Sequence, residues 1–365
     1  MYIYIIILII SYLFSYIAFN ILNKKVPFYI LSLLAIIIPS LLAGCRDTTV
    51  GYDIEVYMVP LFNELQNISD WQALLLIGAS SGLEWFFIIF NYLITRFTDN
   101  IFWAFFIQQL IVLILIYFTC YRLHTKLNAS FLYFTYLLFY FCASMTAARQ
   151  VFAISMVFFS YPYIINRNLY KFIICIIVAW TMHSSALFAL SLYPISIYSI
   201  NNKRKIDVIK LIFLCVLGLL AYTYFPVITN KLISYGLMPE KYIKYIDQEY
   251  MTHKLDILLV FGLFISSKIK KYYIIRNNEI RIFAIVTFFI LLCGKYNDVA
   301  QRVALYFLFY MFIQFFMITH NVSKNNKNIY ELCFILFVAS IFIYNGLVYG
   351  YAEAVPYTSK ILGIG

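Results

Sequence analysis

Apolar runs of membrane-crossing length, cut short by small clusters of charge, recur along the whole chain. The runs 2–22, 27–44, 101–121, 129–147, 150–166, 170–182, 185–199, 208–225, 256–273, 281–297, 300–319 and 330–349 are read as helices. Crossing ~30 Å of hydrocarbon takes about 20 predominantly apolar residues. The runs 170–182 and 185–199 are short and meet at His183-Ser184-Ser185, which predicts a helix break of the kind tolerated where it lines a protein or water-filled cavity. Between the second and third runs lies the segment 45–100, expected to be external. It contains the weaker apolar run Glu84 to Phe97, too short to span comfortably, which is read as a re-entrant or interfacial helix. Residues 226–255, mixed in charge and rich in Tyr, are read as an external loop with an amphipathic helix. The first run lacks a basic n-region and an A-x-A site, and is expected to be a retained membrane helix. The expected fold is an all-α polytopic bundle of about 12 crossings, one transmembrane domain over 1–365.

Composition agrees with this pattern. Of 365 residues, 64% are hydrophobic and 12% charged, and the mean hydropathy is +0.86. The net charge of +11 would suit nucleic acid, but its distribution points to membrane orientation instead. If Lys24 and Lys25 face the cytoplasm, alternation puts 17 of the 27 Lys and Arg on that side with only three of the 16 acids. That is the positive-inside asymmetry, and it places both termini outside. Seven cysteines are scattered singly with no CxxC, so neither a disulfide framework nor a zinc site is expected. There is no P-loop, GxGxxG, HExxH or GxSxG, nor a DxD-like pair for a nucleotide-sugar enzyme's metal.

The polar residues out of keeping with their surroundings fall on the expected outer face. Arg46 follows a membrane run, with Asp53 and Tyr57 close behind it. Glu84 opens the short run, and Arg149 and Gln150 sit at one turn. His183 sits at the helix break, and Lys295, Asp298 and Arg302 occur in KYNDVAQR. Any one of these is accounted for by a capped helix end, a snorkelling side chain or a local ion pair, Asp298 with Arg302 for example. Together they suggest an anionic ligand met by arginines, whose planar fork suits phosphate. His183 is equally a satisfied core histidine or a group for proton transfer.

The run RDTTVGYDIEVY, the ARQVFA start of one crossing, the AWTMHSSAL break, the later QRVALYF and the tail dipeptide Pro356-Tyr357 resemble, in order and spacing, the EpsG-like family of Wzy-type bacterial surface-polysaccharide polymerases. The resemblance covers nearly the whole chain. It implies a membrane-embedded glycosyltransferase (GT-C-like) architecture in the bacterial cytoplasmic membrane, with its active site facing the periplasm or exterior. The implied reaction moves a growing undecaprenyl-diphosphate-linked glycan onto a lipid-linked repeat unit, with no metal or other cofactor. The implied partners are those lipid-linked repeat units, membrane lipids, a flippase and a chain-length regulator, with no nucleic acid. On this reading Arg149, His183, Asp53 and Glu84 are the catalytic candidates. Arg46, Arg302, Tyr57, Gln150, Asp298 and Tyr357 are the substrate-binding ones, the arginines for diphosphate and the tyrosines for stacking on sugars. Three alternatives stay open: a lipid-linked oligosaccharide flippase, a polysaccharide acyltransferase, and a glycosyltransferase adding one sugar from a polyprenyl phosphate.

Overall fold

The computed structural model describes every residue except 23, 69, 202–207, 236–253, 269–273, 295–297 and 352. The described residues form helices α1 (Tyr2–Asn20), α2 (Lys25–Gly44), α3 (Val59–Gln66), α4 (Trp71–Ser80), α5 (Trp85–Thr95), α6 (Phe102–Leu123), α7 (Ala129–Thr146), α8 (Ala148–Ile165), α9 (Leu169–Met182), α10 (Leu192–Asn201), α11 (Val208–Ser234), α12 (Lys254–Ser266), α13 (Ile274–Cys293), α14 (Asp298–His320) and α15 (Lys324–Val348). A π segment, Ile54–Met58, precedes α3, and a 3-10 segment, Ser184–Ser191, joins α9 to α10. Among the described residues there is no strand, only an isolated bridge between Ser359 and Ile364. The chain is a polytopic helical membrane protein, with seven described helices long and apolar enough to cross: α1, α2, α6, α7, α8, α14 and α15.

The apolar runs reappear as helices with ends shifted by up to nine residues, and the predicted break at His183 is the junction of α9 with the 3-10 segment. Segment 45–100 is more structured than its hydropathy implies. Besides α5 it folds into the π segment, α3 and α4, because short helices with one apolar face leave little trace in a long hydropathy window. Arg96, just past α5, holds α3 in place. Its guanidinium donates to the carbonyls of Leu65 (2.7 Å), Gln66 (3.3 Å) and Ile68 (2.7 Å), at and just past the C-terminal end of α3. Of the segment 226–255, α11 takes the residues to Ser234, and most of the rest, with the expected amphipathic helix, lies outside the described residues.

The chain divides into two compact units. The first comprises Met1–Pro162, Tyr170–Leu187 and Ile329–Gly365. Its most enclosed membrane helix is α7, 78% buried, whereas α1, 28% buried, leaves a broad flank for lipid. Pro39 inside α2 explains how three of these helices are joined. A proline has no N–H, so the carbonyl of Ala35, four residues earlier, loses its helical donor. Ser11 of α1 donates to it at 2.6 Å and Tyr133 of α7 at 2.9 Å. An orphaned carbonyl in hydrocarbon is costly, so this site ties α1, α2 and α7 together.

The C-terminal tail closes the same unit over the loop that follows α2. Tyr357 Oη donates to Leu42 O at 2.8 Å, and Ser359 Oγ donates to Cys45 O, which together cap the open end of α2. Asp47 N donates to Thr358 O (3.0 Å), Lys360 N to Asp47 Oδ1 (2.9 Å) and Gly51 N to Glu353 O (3.0 Å). Gly51 is needed there. Its φ is +104°, and a Cβ would fall 2.3 Å from Met145 O at the end of α7.

The second unit comprises Tyr163–Leu169 and Phe188–Asn328. In it α13 packs along α14 and also against α10, α11 and α12. Ser196 of α10 donates to the buried Glu279 carboxylate of α13 at 2.6 Å.

Candidate active site at the Glu84 and Arg149 pair

Three helix ends of the first unit meet at Glu84. The residue stands immediately before α5, and its carbonyl accepts from Phe87 N (3.1 Å) and Ile88 N (3.3 Å), which fixes its backbone at the helix start. Its side chain does not cap α5. It reaches instead to Arg149, whose Nη1 donates to Oε2 at 2.5 Å. Arg149 lies in the first turn of α8, where the helix dipole disfavours a cation, so the carboxylate offsets a charge that the fold places badly. The other carboxylate oxygen, Oε1, accepts the backbone N–H of Ser184 at 3.1 Å. Ser184 opens the 3-10 segment, and an N–H at a helical N-terminus is a natural anion donor.

Two rings complete the surroundings of the guanidinium. The centroids of Tyr57 and Phe87 lie 5.6 and 5.7 Å from Arg149 Cζ, within cation–π range. Phe87 is three residues beyond Glu84, so the two share a face of α5. The pair is partly open, with the Arg149 and Glu84 side chains 18% and 20% exposed. Apart from Nη1, the Arg149 N–H groups have no acceptor among the described residues.

Burial works against ionisation of Glu84. The Arg149 charge, the His183 side chain and the Ser184 N–H outweigh it and hold the carboxyl below its ordinary value. His183 itself is buried and held by its neighbour. Ser185 Oγ lies 2.7 Å from Nδ1, and Ser185 N donates to Nδ1 at 3.3 Å. A backbone N–H can only donate, so this contact uses Nδ1 as an acceptor.

The structure thus brings together Glu84, Arg149, His183 and Tyr57 of the residues expected from sequence. Asp53 lies partly exposed at the start of the π segment, one turn before Tyr57. Gln150, the next residue of α8, is buried. Tyr357 is 5% exposed, with its ring edge-on to Tyr4 at 5.5 Å and its hydroxyl on Leu42 O, so it offers no open face to a sugar. An aromatic in an external tail reads from sequence as an exposed sugar platform, but the tail folds inward. Arg302 stands in α14 of the second unit, one turn after Asp298, the first residue of that helix. Lys295 lies outside the described residues. Sequence reasoning did not single out the Ser184 N–H or Phe87. The first was foreshadowed by the HSS break, and the second by its i, i+3 spacing from Glu84.

Arg46 forms a separate feature of the same unit. It is 6% exposed, with Cζ 4.2 Å from the Phe105 ring centroid in the first turn of α6. Burial pushes its guanidinium down to about 10, so it is still a cation at neutral pH. Among the described residues, no group of three or more His, Cys, Asp or Glu side chains is placed to hold a metal ion.

Comparison with models of known protein families matches residues 29–359 to the EpsG family. No curated protein and no solved structure matches the chain significantly.

Proposed function

The chain belongs to the EpsG family, which is linked to polysaccharide biosynthesis, and on that premise we propose that it is a glycan polymerase of the bacterial cytoplasmic membrane. Its substrates are oligosaccharide repeat units on undecaprenyl diphosphate, joined at the outer face. The observation that carries this reading is the Glu84 carboxylate held ionised between Arg149 and the Ser184 N–H, beside His183, at the partly open ends of α5, α8 and α9.

The chemistry follows from those groups. A hydroxyl of the acceptor repeat unit attacks the anomeric carbon of the donor glycan. The new C–O bond forms as the bond from that carbon to the donor diphosphate breaks, and the electron pair leaves with the diphosphate. Glu84 accepts the hydroxyl's hydrogen bond and takes its proton as the new bond forms, then passes it to water. A carboxylate held below its usual pKa is a weak base, which suits a reaction whose leaving group departs ahead of proton loss. The open N–H groups of Arg149 face oxygens where charge develops, the role in which fixed donors contribute most. His183 stands beside the carboxylate as a polar group for the reacting sugar, and Tyr57 offers a half-exposed ring to it. The purified full chain supplied with a lipid-diphosphate repeat unit is expected to form a ladder of products. Movement of that lipid across liposomes without any new glycosidic bond would instead identify a flippase.

A further inference from the structure

Arg46 carries a permanent charge into a place where no described carboxylate balances it. Its Nε is fully buried without a hydrogen-bond partner, and no described carboxylate forms an ion pair with it. Asp47, the nearest acid in sequence, turns its Oδ1 to the backbone N–H of Lys360 instead. Phe105 offers a ring face to the guanidinium, and a ring face attracts a cation without accepting its in-plane N–H groups. Burying an ion with its donors unmet is strongly unfavourable, so an arginine in this state wants an acceptor from outside the chain.

The position says what kind. Arg46 stands two residues past Gly44, the end of α2, and lies against the first turn of α6, so it sits where two membrane helices end. Phosphate joined to a lipid occupies that depth, whereas an acid group on a long sugar chain has no fixed depth. The loop bearing Arg46 is also pinned by the tail through Thr358, Lys360 and Glu353, so the guanidinium is held before any ligand arrives.

We propose that Arg46 is the anion subsite, receiving a phosphate oxyanion of one of the two lipid diphosphates beside the tail residues Glu353, Thr358 and Lys360 that pin its loop. The assignment rests on the transferase reading above. It also divides labour between two arginines. Arg149 is matched by Glu84 charge for charge, while Arg46 brings the uncompensated positive charge that a diphosphate needs.

The test uses the full-length protein in phosphatidylcholine nanodiscs. Undecaprenyl diphosphate without sugars, inorganic diphosphate and nanodiscs rebuilt with phosphatidylglycerol are the three probes. Affinity and thermal midpoint are read for wild type, Arg46→Met and Arg46→Lys. Undecaprenyl diphosphate is expected to raise the wild-type midpoint. Arg46→Met should melt higher than wild type without ligand, since the unmatched charge is gone, and bind roughly thirtyfold more weakly or worse. Arg46→Lys should bind with intermediate affinity, keeping charge and losing the fork. Inorganic diphosphate binding that is likewise lost in Arg46→Met supports the same chemistry without a need for the lipid. Unchanged affinity in Arg46→Met overturns the proposal, as does binding confined to phosphatidylglycerol or no response of the wild type to any probe. If Arg46→Met does not accumulate folded, unchanged affinity in Arg46→Lys overturns it. A wild-type polymer ladder with Arg46-independent binding defeats this inference alone. Arg46-dependent binding without any new glycosidic bond defeats the transferase reading alone.

Discussion

Arg149 and Glu84 are 65 residues apart in sequence, and Nη1 of one lies 2.5 Å from Oε2 of the other. Each explains the other's position: a cation in the first turn of α8 needs an anion, and a carboxylate before α5 needs a donor. Their partial exposure puts the pair between surface and buried ion pairs. Glu84→Gln is therefore expected to destabilise the protein by about 1–3 kcal/mol. Adding Arg149→Gln should recover part of that loss. Unfolding of the two single variants and the double variant in detergent measures the coupling.

Because the folded Glu84 carboxyl titrates below its ordinary value, the sign of its pH effect is set. Its contribution to stability is fully present above the unfolded value near 4.3, and it is lost as pH falls through the lower folded value. The melting temperatures of wild type and Glu84→Gln should therefore keep a constant gap from neutrality down to about pH 5, then converge. A gap that opens or closes between pH 6 and 8 would contradict this assignment.

The Ala35 carbonyl gives a test of the membrane core. Ser11→Ala and Tyr133→Phe each remove one of its two donors and should cost about 0.5–1.5 kcal/mol. Removing both orphans the carbonyl that Pro39 left open, so the double variant should lose more than the sum. Pro39→Ala in the double background should restore stability, because residue 39 would again supply an N–H. Thermal unfolding of the four variants decides it.

Gly51→Ala should be among the most damaging small substitutions. It places a side chain at φ +104° and a methyl group 2.3 Å from Met145 O, where backbone must move. The expected outcome is a loss of several kcal/mol, with the tail released. Faster proteolysis after Lys360 would report that release.

The membrane helices were legible because their apolar runs must be long and unbroken to cross lipid, and α1, α2, α6, α7, α14 and α15 sit close to the expected runs. The helix break at His183 was legible for the opposite reason: a polar triplet interrupts two short runs. The helices α3 and α4 were not, since eight- and ten-residue segments gain their stability from tertiary partners such as Arg96. Glu84 and Arg149 each stood out as a misplaced charge. That one answers the other depends on three helix ends meeting, which no local pattern records. Tyr357 misled because an aromatic near a chain end gives no sign that the tail turns back on α2. Arg46 stood out by its place after a membrane run, while its lack of an ion-pair partner and the bare Nε became visible only with its surroundings in place.

Glu84 is expected to serve the glycosyl transfer directly. Purified full-length protein is given an undecaprenyl-diphosphate repeat unit, and the products of wild type and Glu84→Gln are resolved by size. Wild type should yield a ladder, and Glu84→Gln should lose roughly a hundredfold or more of the rate at which it grows, with Arg149→Lys between them. Equal ladders from wild type and Glu84→Gln, or no new glycosidic bond from the wild type at all, would contradict it.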